Sequence, residues 1–386
     1  MKVSIISDTH FGYKWGGERG EDSFRNAEEA FEKSIDSDLI ILPGDIFDKK
    51  IPKQEVLDKA SNVLSKAMEG ERTVETGTDL GIHGDGVPVV AIHGTHERRP
   101  ENYTNPIELM DSTGHLHHID DDKVVFEKNG EKVAVHGMSG VPERYAVKQL
   151  EEFNPKPVED AFNILVLHQS IEGFVYTDQD KEYLSLEKLP EGFDLIVNGH
   201  IHWYNLDRFP GEKPLVLPGS TVTTQMRKVE AEKSKGFLKL DTDLGELDFV
   251  ELDSPRDVHY IEVKTDNENW KNVRRRAERR LERIKSGKKS LVNLKIKGTV
   301  LNRVNPGELK QKFQKNMFLN VNSSVEQEET ERESLEESKD PWEKGKEILF
   351  EEVDNSLDID EEEFLHLLET GKSDEAAEFL KESVSK

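Results

Sequence analysis

Cysteine is absent from the 386 residues. Disulfide cross-links and thiolate metal sites are therefore excluded, and any metal must be held by His, Asp, Glu or Asn. Apolar residues are few, at 34%, with aromatics at 7%. They gather in clear runs over the first two-thirds of the chain, where a core is expected. No run approaches the ~20 apolar residues of a membrane span, and no leader-like segment stands before the first strand. A soluble cytoplasmic protein without a membrane partner is the expectation. Positive charge is also scarce: 53 Lys and Arg face 79 Asp and Glu, a net charge of −26. That argues against nucleic-acid binding over the whole surface, but leaves room for a local basic patch. The length fits two or three domains.

What is present is a series of short apolar runs that end in Asp, His or Gly: KVSIIS at 2–7, DLIILPGD at 38–45, PVVAIHG at 88–94, NILVLH at 163–168 and DLIVNGH at 194–200. Near-continuous hydrophobicity of this kind marks buried strands. Helical spacing predicts helices over 22–35 and 54–68, so the core reads as α/β, with chemistry at the strand ends. From 124 onward VVFE, KVAVHG, LVLPG, GFLKL and ELDFVEL add antiparallel strands. The composition shifts near 253–255. A smaller unit then reads strand (260–264), helix (270–285), strand (291–297), helix (306–313). The stretch 323–340 is acidic and poor in apolar residues, as linkers are. Two short helices are expected beyond it, one with Asp360 as N-cap answered by Glu363.

The strand ends carry D8-T-H10, G44-D45, G94-T-H96-E, H168 and G199-H200-I-H202. On an extended strand residues i and i+2 point the same way. Asp8 and His10 would then face one centre, as would His200 and His202. Imidazole and carboxylate together suit manganese, iron or zinc rather than calcium. A carboxylate shared by two ions gives a dinuclear site with ions ~3.5–4 Å apart, the arrangement that activates water and grips phosphate oxygens. A lone histidine is ordinarily a buried, hydrogen-bonded side chain. Five such elements in this order, each closing an apolar run, are hard to reach by chance.

The order D-x-H, G-D, G-x-H-[DE], H, G-H-x-H resembles the calcineurin-like metallophosphoesterases over 1–252. Within that superfamily the flanks DTHFGYK (8–14), GDIFDKK (44–50), GTHERR (94–99), NPIELM (105–110), HGMSGVPE (136–143) and HQSIEGF (168–174) resemble the Mre-type (SbcD-like) DNA double-strand-break repair nucleases. The resemblance implies a two-layered β-sandwich flanked by helices, a small α/β DNA-capping domain and a helical C-terminal tail. The divisions expected are 1–252 (nuclease), 253–322 (capping) and 323–386 (linker and partner-binding helices). It implies two Mn2+ per subunit, the first on Asp8, His10, Asp45 and His202, the second on Asp45, His168 and His200. Thr95 stands where the superfamily usually supplies an asparagine as the fourth ligand of the second ion; a hydroxyl is a weaker ligand than an amide oxygen. His96 matches the non-ligand histidine that contacts the scissile phosphate and helps protonate the leaving oxygen, work suited to an imidazole. The resemblance also implies a helical homodimer interface around 54–68 and Pro106, and an archaeal cytoplasm.

The stretch 271–289 holds ten Lys and Arg against Glu278 and Glu282. Arg274, Arg275, Arg276, Arg279, Arg280, Lys288 and Lys289 are the candidate phosphate contacts, giving affinity without sequence readout; the alternative is a solvated helix face. Arg98 and Arg99 follow the catalytic turn, placed to steer phosphate or simply exposed. His115, His117 and His118 lie outside the signature and read as strand or loop. The glycine-rich segment 72–86 reads as a surface insertion. In the tail, Phe364, Leu367, Leu368, Phe379 and Leu380 fall on helical spacing, a docking stripe. The family docks such a tail on its SMC-like ABC ATPase.

The reading is a manganese-dependent exonuclease and single-strand endonuclease acting on DNA ends. Its rivals are a small-phosphoester phosphatase or phosphodiesterase of the same fold, and a DNA-end-binding scaffold weakened at Thr95. The acidity would suit a cytoplasm of high salt, where screening shortens repulsion to a few ångströms. Dialysis into dilute buffer is then expected to loosen the fold, read by far-ultraviolet circular dichroism; full stability there would remove the high-salt expectation.

Overall fold

The computed structural model describes residues 1–77, 85–100, 102–174, 183–206, 215–285, 287–301 and 304–327. In chain order the first half runs β1 (Lys2–Ile5), α1 (Asp22–Glu32), β2 (Leu39–Pro43), α2 (Gln54–Leu64), β3 (Glu75–Thr76), β4 (Val89–Ile92), α3 (Pro106–Ser112), β5 (His117–His118), β6 (Asp122–Lys128), β7 (Glu131–Met138) and α4 (Glu143–Phe153). There follow β8 (Phe162–Leu167), β9 (Leu195–Asn198), β10 (Leu215–Val216), α5 (Lys228–Glu232), β11 (Gly236–Asp241) and β12 (Glu246–Glu251). The last elements are β13 (Val258–Glu268), α6 (Trp270–Leu281), β14 (Ser290–Val300), α7 (Gly307–Phe313) and β15 (Met317–Gln327). The expected helix over 22–35 thus stops at Glu32, and that over 54–68 changes to a 3-10 turn at Ser65.

Two six-stranded sheets form the main body, ordered β12-β11-β1-β2-β4-β5 and β10-β9-β8-β7-β6-β3. The pairings β1–β2, β2–β4 and β4–β5 are parallel, as are β7–β8, β8–β9 and β9–β10. Alternation sorts the side chains. Val3, Ile5, Ile41, Val90 and Ile92 of the first sheet meet Phe126, Val135, Ile164, Val166 and Val197 of the second in one core. Ile40 and Leu42 turn instead to Phe24, Ala27 and Phe31 of α1 and to Val56, Ala60 and Val63 of α2. Leu165 and Leu167 turn to Leu150 of α4. Strands covered on both faces have no polar side to show, so they read as continuous apolar runs. The segment 72–86 is not wholly a surface insertion: β3 pairs with β6 at the edge of the second sheet.

The smaller module has its own core, with Val263, Trp270, Val273, Leu281, Val292, Leu294, Ile296 and Phe313 packed around the sheet β13-β14-β15. The sequence reading lacked β15. Its alternation is diluted by Asn320, Asn322, Ser323 and Ser324, and it runs to Gln327, past the point where the linker was expected to start. The junction is ionic. Glu29 accepts the backbone N–H of Asp253 (2.9 Å) and of Ser254 (2.8 Å), while Arg256 donates to Asp22 (2.7 Å). Met1–Glu326 form one compact unit. The tail residues Phe364, Leu367, Leu368, Phe379 and Leu380 lie outside the described residues.

Ile41, 1% exposed between the sheets, tests the packing. Ile41→Ala removes three heavy atoms at the centre of the sandwich and is expected to destabilise the fold by about 2–5 kcal/mol in guanidinium unfolding. A loss below about 1 kcal/mol would mean that the two sheets do not share this core.

Candidate metal centre

The site gathers at the carboxyl ends of β1, β2, β4, β8 and β9, and so draws on both sheets. Its backbone is not the extended one expected from D-x-H and H-x-H. β1 stops at Ile5 and β9 at Asn198. Asp8 (φ 50°), His10 (φ 46°), Asp45 (φ 47°) and His200 (φ 74°) all lie in the left-handed region. Such a residue costs on the order of 1–3 kcal/mol, and surrounding bonds hold it there. His10 N–H donates to Asp45 O at 3.0 Å and Asp8 N–H to Gly44 O at 3.3 Å, lacing the first two loops together. The pairs D-x-H and H-x-H converge through these turns, not through strand alternation. Close approach fixes two glycines: a Cβ on Gly94 would lie 2.2 Å from Asp45 Oδ1, and one on Gly199 would lie 2.2 Å from Pro43 O.

Three groups of side chains have ligand atoms mutually within 4.8 Å: Asp8, His10 and His202; Asp45, His168 and His200; and His10, Asp48 and His96. The resemblance assigns Asp45 to both ions; by proximity it groups with His168 and His200. His10 Nε2 and His202 Nε2 face each other at 3.1 Å, and His202 Nε2 lies 3.7 Å from Asp8 Oδ1. His168 Nε2 is 3.2 Å from Asp45 Oδ2. His10 Nδ1 and His168 Nε2 are buried without a hydrogen-bond partner. Buried polar atoms are nearly always satisfied, so orphaned imidazole nitrogens beside carboxylates fit a divalent cation. The donor set has the chemistry of manganese, iron or zinc.

Supporting bonds aim the rings. His168 Nδ1 lies 2.7 Å from Pro43 O, so Nδ1 carries a hydrogen and Nε2 is the nitrogen turned toward Asp45 and the centre. Thr224 Oγ1 sits 2.6 Å from His202 Nδ1. Glu97, fully buried, accepts Phe47 N–H and Gly94 N–H, both at 2.7 Å, and ties the loop after β2 to the loop after β4. Behind His202 lies a buried ion pair, Lys235–Glu230 at 2.9 Å, whose ammonium also donates to His202 O at 2.7 Å. Of these, only Glu97 was visible in the sequence, as the acidic position of G-x-H-[DE]. Thr224, Lys235 and Glu230 follow no spacing rule.

His96 stands at the rim with its side chain 43% exposed. Its Nδ1–H donates to Asp48 O at 2.9 Å, leaving Nε2 toward the centre, 3.9 Å from Asp45 Oδ2. Thr95 Oγ1 lies 3.5 Å from Asp45 Oδ1, which also accepts His96 N–H at 2.9 Å. Of the triple His115, His117 and His118, the last two form β5, and His118 Nε2 meets His93 Nδ1 at 3.2 Å. No metal-ligand group among the described residues includes them.

The basic helix is less free than its composition suggests. Arg274 pairs with Glu278 (3.4 Å) and with Glu308, and Arg276 with Glu268 (2.7 Å). Arg280 donates to Glu262 O, Lys288 to Ser254 O, and Lys289 pairs with Glu18. Arg275 and Arg279 are exposed. Cations collect elsewhere as well: a groove of about 730 Å³ between the loop after β1 and the smaller module is lined by Lys14, Arg19, Lys289, Lys310 and Lys315.

Burial and charge set the protonation of the centre. Burial pushes Asp8 up to about 7 and Glu97 up to about 8. Burial lowers His10 to about 3, His200 to about 4 and His202 well below the usual range. These rings are neutral and ready as ligands. His168 is the exception: burial opposes its charge, but Asp45 and Asp8 prevail and raise it to about 10. A cation must displace that proton, so metal affinity falls as pH falls below about 10. Loading metal-free protein with Mn2+ at pH 7.5 is expected to release about one proton per chain, and affinity to rise about tenfold per pH unit between 7.5 and 8.5, more steeply below about 7, where Asp8 must also lose its proton. Calorimetry in buffers of different ionisation heat reads the proton count; no release would show that His168 is not displaced.

A family model described as calcineurin-like phosphoesterase matches residues 1–204. Curated relatives include the DNA double-strand break repair protein Mre11 of Methanopyrus kandleri, 26% identical over 74% of this chain and 64% of the relative. The protein of that name from Archaeoglobus fulgidus is 26% identical over 69% of this chain and 62% of its own length. The human double-strand break repair protein MRE11 is 25% identical over 62% of this chain and 39% of its own. The matched segment thus spans less than two-thirds of each of these relatives.

Proposed function

The chain belongs to the calcineurin-like phosphoesterase family, and from that membership we propose that it is a manganese-dependent DNA nuclease that trims ends and cuts single strands at double-strand breaks. The observation that carries the reading is the pair of buried ligand groups, Asp8–His10–His202 and Asp45–His168–His200, with His96 exposed at their rim. Two divalent ions, when bound, polarise phosphoryl oxygens and lower the pKa of a water toward neutrality. The chain's own residues do the rest. Pro43 O keeps a hydrogen on Nδ1 of His168, and the Thr224 hydroxyl holds the His202 ring by its Nδ1. Asp48 O holds His96 by Nδ1, so Nε2 faces the site, where it contacts the scissile phosphate and delivers a proton to the leaving oxygen.

Similarity to proteins named for double-strand break repair supports DNA as the substrate. The groove lined by Lys14, Lys289, Lys310 and Lys315 offers backbone contacts, and Arg275 and Arg279 of α6 are exposed elsewhere on the smaller module. Arg274, Arg276 and Arg280 join only by exchanging their present acidic or carbonyl partners for phosphate. The reading includes an SMC-like ABC ATPase as the partner, docked on the helically spaced Phe364, Leu367, Leu368, Phe379 and Leu380, and a homodimer through α2 and α3, where Leu109 is exposed.

The test is digestion of an end-labelled DNA hairpin with a 3′ overhang, with Mn2+, at low and at molar KCl. Wild type is expected to cut, and His96→Asn to lose about 10²–10⁴-fold in rate while still binding Mn2+. Turnover of an aryl phosphate without any cutting of DNA would favour the small-phosphoester reading. Binding of DNA without cutting, at every salt and with the ATPase added, would favour a scaffold.

A further inference from the structure

A second cavity, of about 720 Å³, is lined by the loop after β4 that carries Thr95 and His96. Thr95 belongs to both: it lines the cavity and its hydroxyl reaches Asp45 Oδ1 at 3.5 Å. A group held in the cavity is therefore a near neighbour, along a strand, of a phosphate at the centre. The volume lies within the range of small-ligand sites and is ample for one nucleoside.

The lining is selective. Arg99 lies over the ring of Tyr103, its guanidinium 4.9 Å from the ring centroid, and is steadied by Thr104 O at 2.9 Å. That stack offers a flat face of the sort on which bases stack whatever their sequence. Asp120, beside the His93–His118 pair, contributes a carboxylate to the wall. A carboxylate repels a phosphate but accepts a hydrogen bond from an exocyclic amino group. Arg98 is exposed at the rim and has no hydrogen bond or ion pair among the described residues. The charge thus favours a base within and a phosphate at the mouth. Asp120 Oδ1 accepts Ser139 N–H at 3.4 Å, which leaves Oδ2, while Asn105 and Glu108 close the cap of α3 and Gln149 bonds Asp121.

We infer that this cavity receives a nucleobase of the strand being cut, stacked on the Arg99–Tyr103 pair, with Arg98 on the adjoining phosphate. The inference rests on the nuclease reading and adds a specificity pocket to it. The seat makes Arg98 and Tyr103 binding residues for polymeric substrate. A small aryl diester has no base to place there.

The experiment measures kcat/KM for a short single-stranded oligonucleotide and for bis(4-nitrophenyl) phosphate, with Mn2+ and full-length protein. Tyr103→Ala and Arg98→Ala are each expected to lower the oligonucleotide-to-diester ratio about tenfold, and Tyr103→Phe to restore it. An oligonucleotide carrying one abasic position, moved along the strand, supplies the second arm. At one position next to the cut, wild type is expected to lose about tenfold, and Tyr103→Ala to show no further loss there. Unchanged ratios in both alanine variants, or an abasic loss of equal size in wild type and Tyr103→Ala, would overturn the pocket and leave the nuclease reading intact. Hydrolysis of the diester without any cutting of DNA by wild type would overturn the nuclease reading, and the pocket with it.

Discussion

The buried carboxylate of Asp45 is the point on which the two sheets agree. Its Oδ1 accepts the N–H of His96 at 2.9 Å, from the loop after β4; its Oδ2 lies 3.2 Å from His168 Nε2, after β8; and its own carbonyl accepts the N–H of His10 at 3.0 Å, after β1. Three strand ends from two sheets are thus tied to one residue. A carboxylate so deep in the protein is costly unless it is paired and hydrogen-bonded. Burial opposes its ionisation, but His168 and its neighbours hold it well below the usual carboxylate range. The left-handed backbone of Asp45 and the bare Gly94 are geometric consequences: nothing larger than hydrogen fits where Gly94 approaches Oδ1.

Much of this was legible. The apolar runs marked the parallel strands because burial on both faces leaves no polar alternation, and each run handed its ligand to the site at its carboxyl end. The pairs D-x-H and H-x-H converge by a device other than strand alternation. Strand alternation predicts a shared direction, whereas the chain has already left the strand and turns through left-handed positions at Asp8, His10 and His200. Local sequence does not announce such turns at Asp or His, because surrounding hydrogen bonds hold them. NPIELM shows the converse. Its Asn105 accepts the N–H groups of Ile107 and Glu108, and Glu108 answers on Asn105 N at 2.8 Å. The flank is a capping box with proline in the first turn, a local device that sequence states outright.

What stayed hidden depended on tertiary contact. Thr224, Lys235 and Glu230 bear on His202 from segments more than twenty residues away. β15 was missed because its apolar positions are interrupted by asparagine and serine. The charge of α6 was counted, but its neutralisation was not. Glu268, Glu278 and Glu308 reach Arg276 and Arg274 from within the helix and from β13 and α7. In a chain with so many acids, a run of cations measures attraction to the chain's own carboxylates as much as to phosphate. The groove that gathers Lys14, Lys289 and Lys310 draws them from three distant segments, so no composition window finds it.

Thr95 brings these strands together. An asparagine there would offer an amide oxygen as a ligand. A threonine hydroxyl instead lies 3.5 Å from Asp45 Oδ1, an oxygen that already accepts His96 N–H. Hydrogen bonds on Oδ1 direct the remaining lone pairs of the carboxylate, chiefly those of Oδ2, toward His168 and His200. The second ligand group therefore has three protein donors, one fewer than four-donor sites hold. Sites that keep a position open are those that admit water and substrate. The same side chain also lines the Arg99–Tyr103 cavity. One side chain thus touches both the Asp45 carboxylate, at 3.5 Å, and the cavity beside it.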